Sequence, residues 1–296
     1  MISFSRIFCM MLLTLFTASS AYGDIQGYLA LDNGYRWDRL SNRAQSGGGT
    51  VPAKGSTQLM RKINSYQLGA KGQWLFCDTL FVRANGHYGW VFEGKYSEGG
   101  LFGKTTGHTT DVQGAIGKYI CIAPGIWVAP VIGWSYDALH FKGKNISTAI
   151  NGVVYKLNDL QAHQRFNGPF IGIDLNYQIN SCYDFTFGYE FHCVHWRGQR
   201  LIQGREYGNP PFGITTGFSN VRRMNRVYGN VFKFDATYEW RDCWELGLGL
   251  KYQFFMGDDG HYRQTKKRPL SQYTYRKIEG LWWCSFAATL YIGKMF

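Results

Sequence analysis

Ser285-Phe286-Ala287-Ala288-Thr289-Leu290-Tyr291-Ile292-Gly293-Lys294-Met295-Phe296 closes the sequence. Phe286, Ala288, Leu290, Ile292 and Phe296 share one phase of a two-residue period, which is the period of a β-strand. A strand ending on an aromatic residue gains a water-soluble domain little. A terminal strand of this kind is expected to close a transmembrane β-barrel, and the competing reading is the buried closing strand of a secreted soluble barrel. Lys294 stands in the apolar phase and is expected near an interface, where its ammonium reaches water.

The same pattern recurs upstream. In the stretch from about Trp244 to Met256, Trp244, Leu246, Leu248, Leu250, Tyr252 and Phe254 oppose Glu245, Lys251 and Gln253. From about Tyr183 to Trp196, Tyr183, Phe185, Phe187, Tyr189 and Phe191 oppose Asp184, Thr186, Gly188, Glu190 and His192. Further strands are expected over about Asp24–Asp38, Lys62–Phe76, Thr79–Phe92, His108–Ile120, Ile126–Phe141, Gly168–Ile179 and Tyr228–Trp240. With the terminal strand this makes ten, in five hairpins. Four short turns alternate with long segments at roughly 40–60, 94–107, 142–167, 197–227 and 258–278. Short turns on one side and long loops on the other are the layout of an outer-membrane barrel. The fold class expected is therefore all-β, a ten-stranded antiparallel transmembrane barrel with short periplasmic turns and long external loops.

Composition agrees. The 296 residues include 37 Gly, 20 Tyr, 21 Phe and 10 Trp, but only 7 Pro. Mean hydropathy is nevertheless −0.26. A chain so aromatic and on average so polar must alternate the two kinds of residue. Met1 to Gly23 reads as a signal peptide: Arg6, the apolar run Phe8 to Phe16, and Ala21-Tyr22-Gly23 before Asp24. The barrel would then occupy 24–296. No later stretch approaches the roughly 20 apolar residues of a membrane helix. The formal charge of +12 would suit nucleic acid, but export makes that partner unsuitable. Outer-membrane lipid and lipopolysaccharide are the expected anionic partners.

The wet phase of the strands nominates a lumen network of Lys71, Arg83, His87, Asp111, Asp174, Asp184, Glu190, His192, Lys233, Asp235, Glu239, Glu245 and Lys251. Acids and bases are interspersed, so in a narrow barrel they are expected to satisfy one another. A small conducting channel is the alternative. Basic residues also gather in two expected external loops, Arg197, Arg200, Arg205, Arg222, Arg223 and Arg226 in one and Arg263, Lys266, Lys267 and Arg268 in the other. Tryptophans near strand ends, Trp74, Trp90, Trp127, Trp196, Trp240 and Trp244, are expected in interfacial girdles. Of seven cysteines, Cys77, Cys121, Cys182 and Cys243 fall one in each short turn. Thiols on one rim in an oxidising compartment are expected to form disulfides, between turns or with other envelope proteins. No zinc spacing, phosphate loop or nucleophile elbow is present in the sequence, and no cofactor is implied.

Two resemblances follow from these residues. Lys62-Ile63-Asn64 through Gly69-Ala70-Lys71-Gly72, and Gly168-Pro169-Phe170-Ile171-Gly172-Ile173, resemble the omptin outer-membrane proteases in layout. Omptins carry an Asp pair in the second external loop and an Asp-x-His pair at the top of the seventh strand. Here no Asp lies between Gly94 and Gly107, and Arg197-Gly198-Gln199-Arg200 follows Trp196. Glu190-Phe191-His192 has the spacing but lies deep in its strand. The resemblance thus implies the barrel and not the protease. Layout and turn cysteines together resemble chlamydia-type outer-membrane proteins. The function expected is a non-enzymatic barrel with a structural or surface-contact role. A small-solute porin is the alternative, and an omptin-like protease stands third.

Overall fold

The computed structural model describes residues 25–44, 56–76, 78–98, 101–150, 153–157, 159–203, 218–240, 243–266 and 273–296. The leader expected at 1–23 lies outside them. Ten long strands carry the fold: β1 (Ile25–Ala44), β2 (Ser56–Phe76), β3 (Leu80–Glu98), β4 (Leu101–Lys118), β5 (Ile126–Ile150), β6 (Asp159–Gln178), β7 (Tyr183–Gln203), β8 (Phe218–Glu239), β9 (Trp244–Gly257) and β10 (Tyr273–Met295). Each pairs antiparallel with the next. β1 then pairs with β10, from Tyr28 opposite Met295 to Ala44 opposite Ile278, and the sheet is closed. Short strands Ile120–Ala123, Val153–Leu157 and Gly260–Lys266 extend the hairpins.

Closure explains the polarity. Leu31, Leu68, Ile132, Ile171, Phe187, Phe232, Leu246 and Leu290 lie on the exposed outer face, while Asp32, Arg36, Asp111, Asp174 and Glu190 are buried. A soluble protein would show the reverse. In hydrocarbon the outer residues are the ones that cost nothing, and the pairing of β1 with β10 leaves neither strand as a free edge. The chain is an outer-membrane β-barrel, the localisation its sequence implies.

The short turns are built for tight reversal. Asn180 Oδ1 accepts the backbone N–H groups of Cys182 and Tyr183 at 2.9 and 3.0 Å. Gly125 takes φ of +76°, which glycine adopts without a Cβ clash. Cys121, Cys182 and Cys243 sit at this rim, exposed and free; Cys77 lies outside the described residues. Among the described residues there is no disulfide. The expected cross-links, and the disulfide-bound envelope partners that rested on them, are thereby corrected. Successive turns are separated by two strand spacings, about 10 Å, whereas a disulfide needs Cα atoms within about 7 Å.

The strands are longer than the sequence pattern implied. Much of 94–107, 142–167, 197–227 and 258–278, expected as loop, is paired strand. Apolar alternation stops where the outer face leaves the hydrocarbon, but the backbone ladder continues beyond it with polar residues outside. Two tryptophans also differ from the girdle expectation. Trp90, Trp240 and Trp244 are exposed on the outer face, and Trp74 keeps the outward phase of Tyr66 and Leu68 with its ring lying against Gly72. Trp127 instead lines the lumen at the periplasmic end, and Trp196 follows His192 and Val194 in the buried inward phase of β7.

The end of the chain completes the seam. Gly27 N–H donates to Phe296 O at 2.8 Å and Phe296 N–H to Gly27 O at 2.9 Å. A Cβ on Gly27 would meet the Phe296 ring at 2.3 Å. Gly27→Val is expected to cost roughly 1–3 kcal/mol by overpacking and to lower the fraction of heat-modifiable, folded barrel on gels. An unchanged fraction would show that the ring is free to move aside. The turn thiols are expected to react with a membrane-impermeant maleimide in opened cells without prior reduction, and labelling that requires a reductant would contradict their free state.

Candidate functional site

The lumen has three levels. At the periplasmic end lies an open vestibule of about 640 Å³, lined among others by Tyr28, Lys71, Trp127, Asp184, Asp235, Glu245 and Tyr291. Lys71 Nζ binds Asp235 Oδ1 at 2.9 Å and stands 3.3 Å from the centre of the Tyr291 ring. Asp184 lines the vestibule, and Glu239 lies opposite Glu245 at the rim.

Above the vestibule a layer of charge crosses the barrel. Glu190, fully buried on β7, is its hub. One carboxylate oxygen accepts from Arg83 Nη2 at 2.9 Å and Lys233 Nζ at 2.5 Å. Gln113 Nε2 reaches both oxygens at 2.7 and 2.8 Å, and His192 Nε2 lies 3.1 Å from the second. Arg83 also pairs with Asp174. A second cluster lies beside it. His87 bridges Asp32 at 3.0 Å and Asp111 at 2.8 Å; Lys251 is 3.6 Å from Asp111. Arg36 binds Asp38 and Asp111, each at 2.9 Å. These contacts unite strands β1, β3, β4, β6, β7, β8 and β9 across the interior. Such a network holds buried charges because each is answered by others.

The structure brings together Lys71, Arg83, His87, Asp111, Asp174, Glu190, His192, Lys233, Asp235 and Lys251, while Asp184, Glu239 and Glu245 stay at the rim. Sequence reasoning missed Asp32, Arg36, Asp38 and Ser135. The signal was present in β1, where Asp32, Arg36 and Asp38 alternate with Leu31, Tyr35 and Trp37.

The external half is filled by apolar side chains. Trp283 stacks on Phe166 at 4.4 Å and Phe255 at 5.1 Å between ring centroids, with Leu40, Met60, Phe141 and Trp196 packed around them. The indoles are anchored by polar partners, Trp283 N–H donating to Asp38 at 3.1 Å and Trp196 N–H to Gln164 at 3.0 Å. At the top, Arg222 is buried and bonded to Asn42 and Gln58. It is therefore an interior residue, unlike Arg197, Arg223, Arg226 and Arg263, which are exposed. Arg200 donates to the Tyr96 hydroxyl at 3.0 Å. Lys266 ends a short strand. Arg205, Lys267 and Arg268 lie outside the described residues.

One arrangement looks like a catalytic relay. Ser135 Oγ lies 3.0 Å from His192 Nδ1, and His192 Nε2 lies 3.1 Å from Glu190. All three are buried, Phe170 stacks on the imidazole at 4.7 Å, and neither Ser135 nor His192 lines the vestibule. No group of three or more metal-ligating side chains is found among the described residues.

A closed ten-stranded barrel with a lipid-facing apolar belt defines an outer-membrane protein. Residues 30–296 match the family described as Pom, Protochlamydia outer membrane protein, and the chain belongs to that family. No curated protein sequence matches it. Among solved structures it is similar to the outer membrane protease OmpT from Escherichia coli, with 12% identity over 92% of this chain and 97% of that one and a TM-score of 0.73. This likeness is one of fold. The translocator domain of the autotransporter NalP from Neisseria meningitidis gives 8% identity, 99% and 96% coverage and a TM-score of 0.44. The toluene transporter TbuX from Ralstonia pickettii gives 9%, 92% and 90%, and 0.36.

Removing the hub carboxylate takes the acidic partner from Lys233 and leaves Arg83 with Asp174 alone. Glu190→Ala is expected to destabilise the barrel by about 3–5 kcal/mol, read from the urea midpoint in detergent micelles. A change below about 1 kcal/mol would mean that water or a neighbouring acid replaces the hub.

Proposed function

We propose that this barrel is closed to free diffusion and acts at its two faces, as a structural and surface-contact component of the outer membrane. The observation that carries the reading is the stack of Phe166, Phe255 and Trp283 across the external half of the lumen. A barrel of eight strands is just filled by its own side chains, whereas one of 16–18 strands encloses water. Ten strands stand near the filled end of that range, and here the filling is aromatic above and ionic below. Proteolysis of the omptin kind is not part of the proposal, because Arg197-Gly198-Gln199-Arg200 occupies the end of β7 and the Ser135–His192–Glu190 chain is enclosed.

A second reading, passage of small solutes, is favoured by the vestibule of about 640 Å³ with Lys71, Asp184, Asp235 and Glu245 on its walls. In that reading the aromatic side chains act as a gate. Planar-bilayer recording separates the two. The native barrel is expected to give no conductance steps, and Phe166→Ala with Trp283→Ala to open them by emptying the plug. Steps from the purified native barrel would overturn the closed reading in favour of the porin.

A further inference from the structure

Three histidines stand in one row on the outer wall of the barrel. His108 on β4 is opposite His140 on β5, and His140 is opposite His163 on β6. Residues directly opposite in an antiparallel pair point from the same face. The row runs back through Trp90, Tyr66 and Tyr35 to Ala288, and forward to Gln199 on β7. Tyr35, Tyr66 and Trp90 are exposed on the outer face, whereas Thr109, Leu139 and Ala162, beside the histidines in sequence, are buried in the interior. The histidines therefore point outward. Barrel strands are tilted, so a row across them climbs along the barrel axis. This row starts inside the apolar belt at Ala288, passes the interfacial Trp90 and carries the histidines to the external side.

The three imidazoles are in contact and half-buried. His108 and His140 lie 4.6 Å apart between ring centroids, with planes at 17°. His140 and His163 lie 3.8 Å apart, with planes at 82°. Tyr88 stacks on His108 at 5.4 Å. The lumen histidines are different, because His87 and His192 are each bonded to carboxylates. In the outer row His140 Nε2 is shut off from solvent and has no hydrogen-bond partner. A buried polar atom left without a partner costs its desolvation, which a bound ligand returns. The ligand that imidazole nitrogens suit is a transition-metal ion.

We propose that His140 and His163 chelate a divalent transition-metal ion, Cu2+ foremost, on the external wall of the barrel. With a metal–nitrogen bond of about 2.1 Å, two imidazoles at adjacent corners of a square stand about 4.5 Å apart between centroids. His140 and His163 have steeply crossed planes and need to part by less than about 1 Å, a shift within a rotamer well. His108 has the separation but lies face to face with His140, so it packs against the ligand and is not one itself. Water takes the remaining corners, in keeping with the lack of a three-ligand group among the described residues. Cu2+ binds nitrogen sites most strongly in its series, and cis nitrogens with water suit its tetragonal geometry. Lys142 and Arg165, the next outward residues on β5 and β6, are exposed, so water and salt screen their charges. The site lies on the wall, so the inference does not depend on whether the lumen conducts.

The test uses the intact folded barrel in detergent micelles, its thiols alkylated so that sulfur takes no copper, titrated with Cu2+ alone in a non-coordinating buffer. Electron paramagnetic resonance of the bound ion counts its nitrogen ligands and needs no variant. The native barrel is expected to hold a single tightly bound Cu2+ coupled to two imidazole nitrogens. Coupling to one nitrogen, or several equivalent ions per barrel, would mean an adventitious ion only and overturn the proposal. H140F and H163F keep a ring in the row and remove its nitrogens. Each is expected to weaken binding by about tenfold or more and to leave coupling to one nitrogen. H108F keeps the stack and is expected to change the affinity less than about threefold. A loss there as large as in H140F, with none in H163F, would overturn the assignment of His163. The control is H195F, since His195 is an exposed histidine on β7 outside the row. Equal losses in H140F, H163F and H195F would mean diffuse binding to surface histidines and no site. Unchanged heat modifiability on gels confirms that each variant is folded, and an unchanged affinity in H140F would remove the proposal altogether.

Discussion

A chain that crosses lipid as strands must pair every backbone donor and acceptor within itself, because hydrocarbon offers none. This constraint turns a sheet into a barrel and gives the pairing of β1 with β10 its weight. The seam runs from Tyr28–Met295 to Ala44–Ile278 and is continued by the two hydrogen bonds between Gly27 and Phe296. An open edge on either strand would leave a row of unpaired groups in the membrane. The missing side chain at Gly27 belongs to the same requirement, since it gives the terminal ring a surface to lie on.

Closure in turn decides what the interior can be. Each strand sends alternate side chains inward, and ten strands enclose a space of about side-chain width. Filling it with aliphatic residues alone would have produced strands that are apolar on both faces. The chain instead divides the interior by height. The ionic layer around Glu190 and Asp111 joins strands on opposite walls, while the stack on Trp283 packs the external half. Asp38 links the two layers, because it accepts from both Arg36 and the Trp283 indole. The charged layer and the aromatic layer are therefore one connected structure, and movement of the aromatic stack would have to disturb the ion pairs below it.

The fold was legible because period-two alternation, aromatic content and turn spacing all arise from the membrane belt. Legibility ended where the belt ended. β5 continues to Ile150 and β7 to Gln203, but their outer faces there carry Lys142 or Arg197, and an apolar period no longer marks a strand. The interior was legible as a set of polar positions and not as partners. His87 meets Asp32 55 residues away and Lys71 meets Asp235 164 residues away, contacts that follow from register around the barrel. The turn cysteines show the opposite error. Their regular placement in sequence suggested pairing, yet that regularity reflects one cysteine per hairpin end, which is the spacing that keeps them apart.

The strand segments beyond the belt give the molecule its external character. Because the ladder continues there, side chains on neighbouring strands are held in register and not spread over mobile loops. The positive charge therefore acquires a geometry that loop composition alone would not give it. Arg165, Arg197 and Arg223 form a row on one side of the barrel, and Arg61, Lys95 and Lys104 form another row on β2 to β4. Arg222, next to Arg223 in sequence, points the other way and is consumed by Asn42 and Gln58 inside. One residue of strand phase thus separates an arginine bonded inside the lumen from one exposed on the outer face.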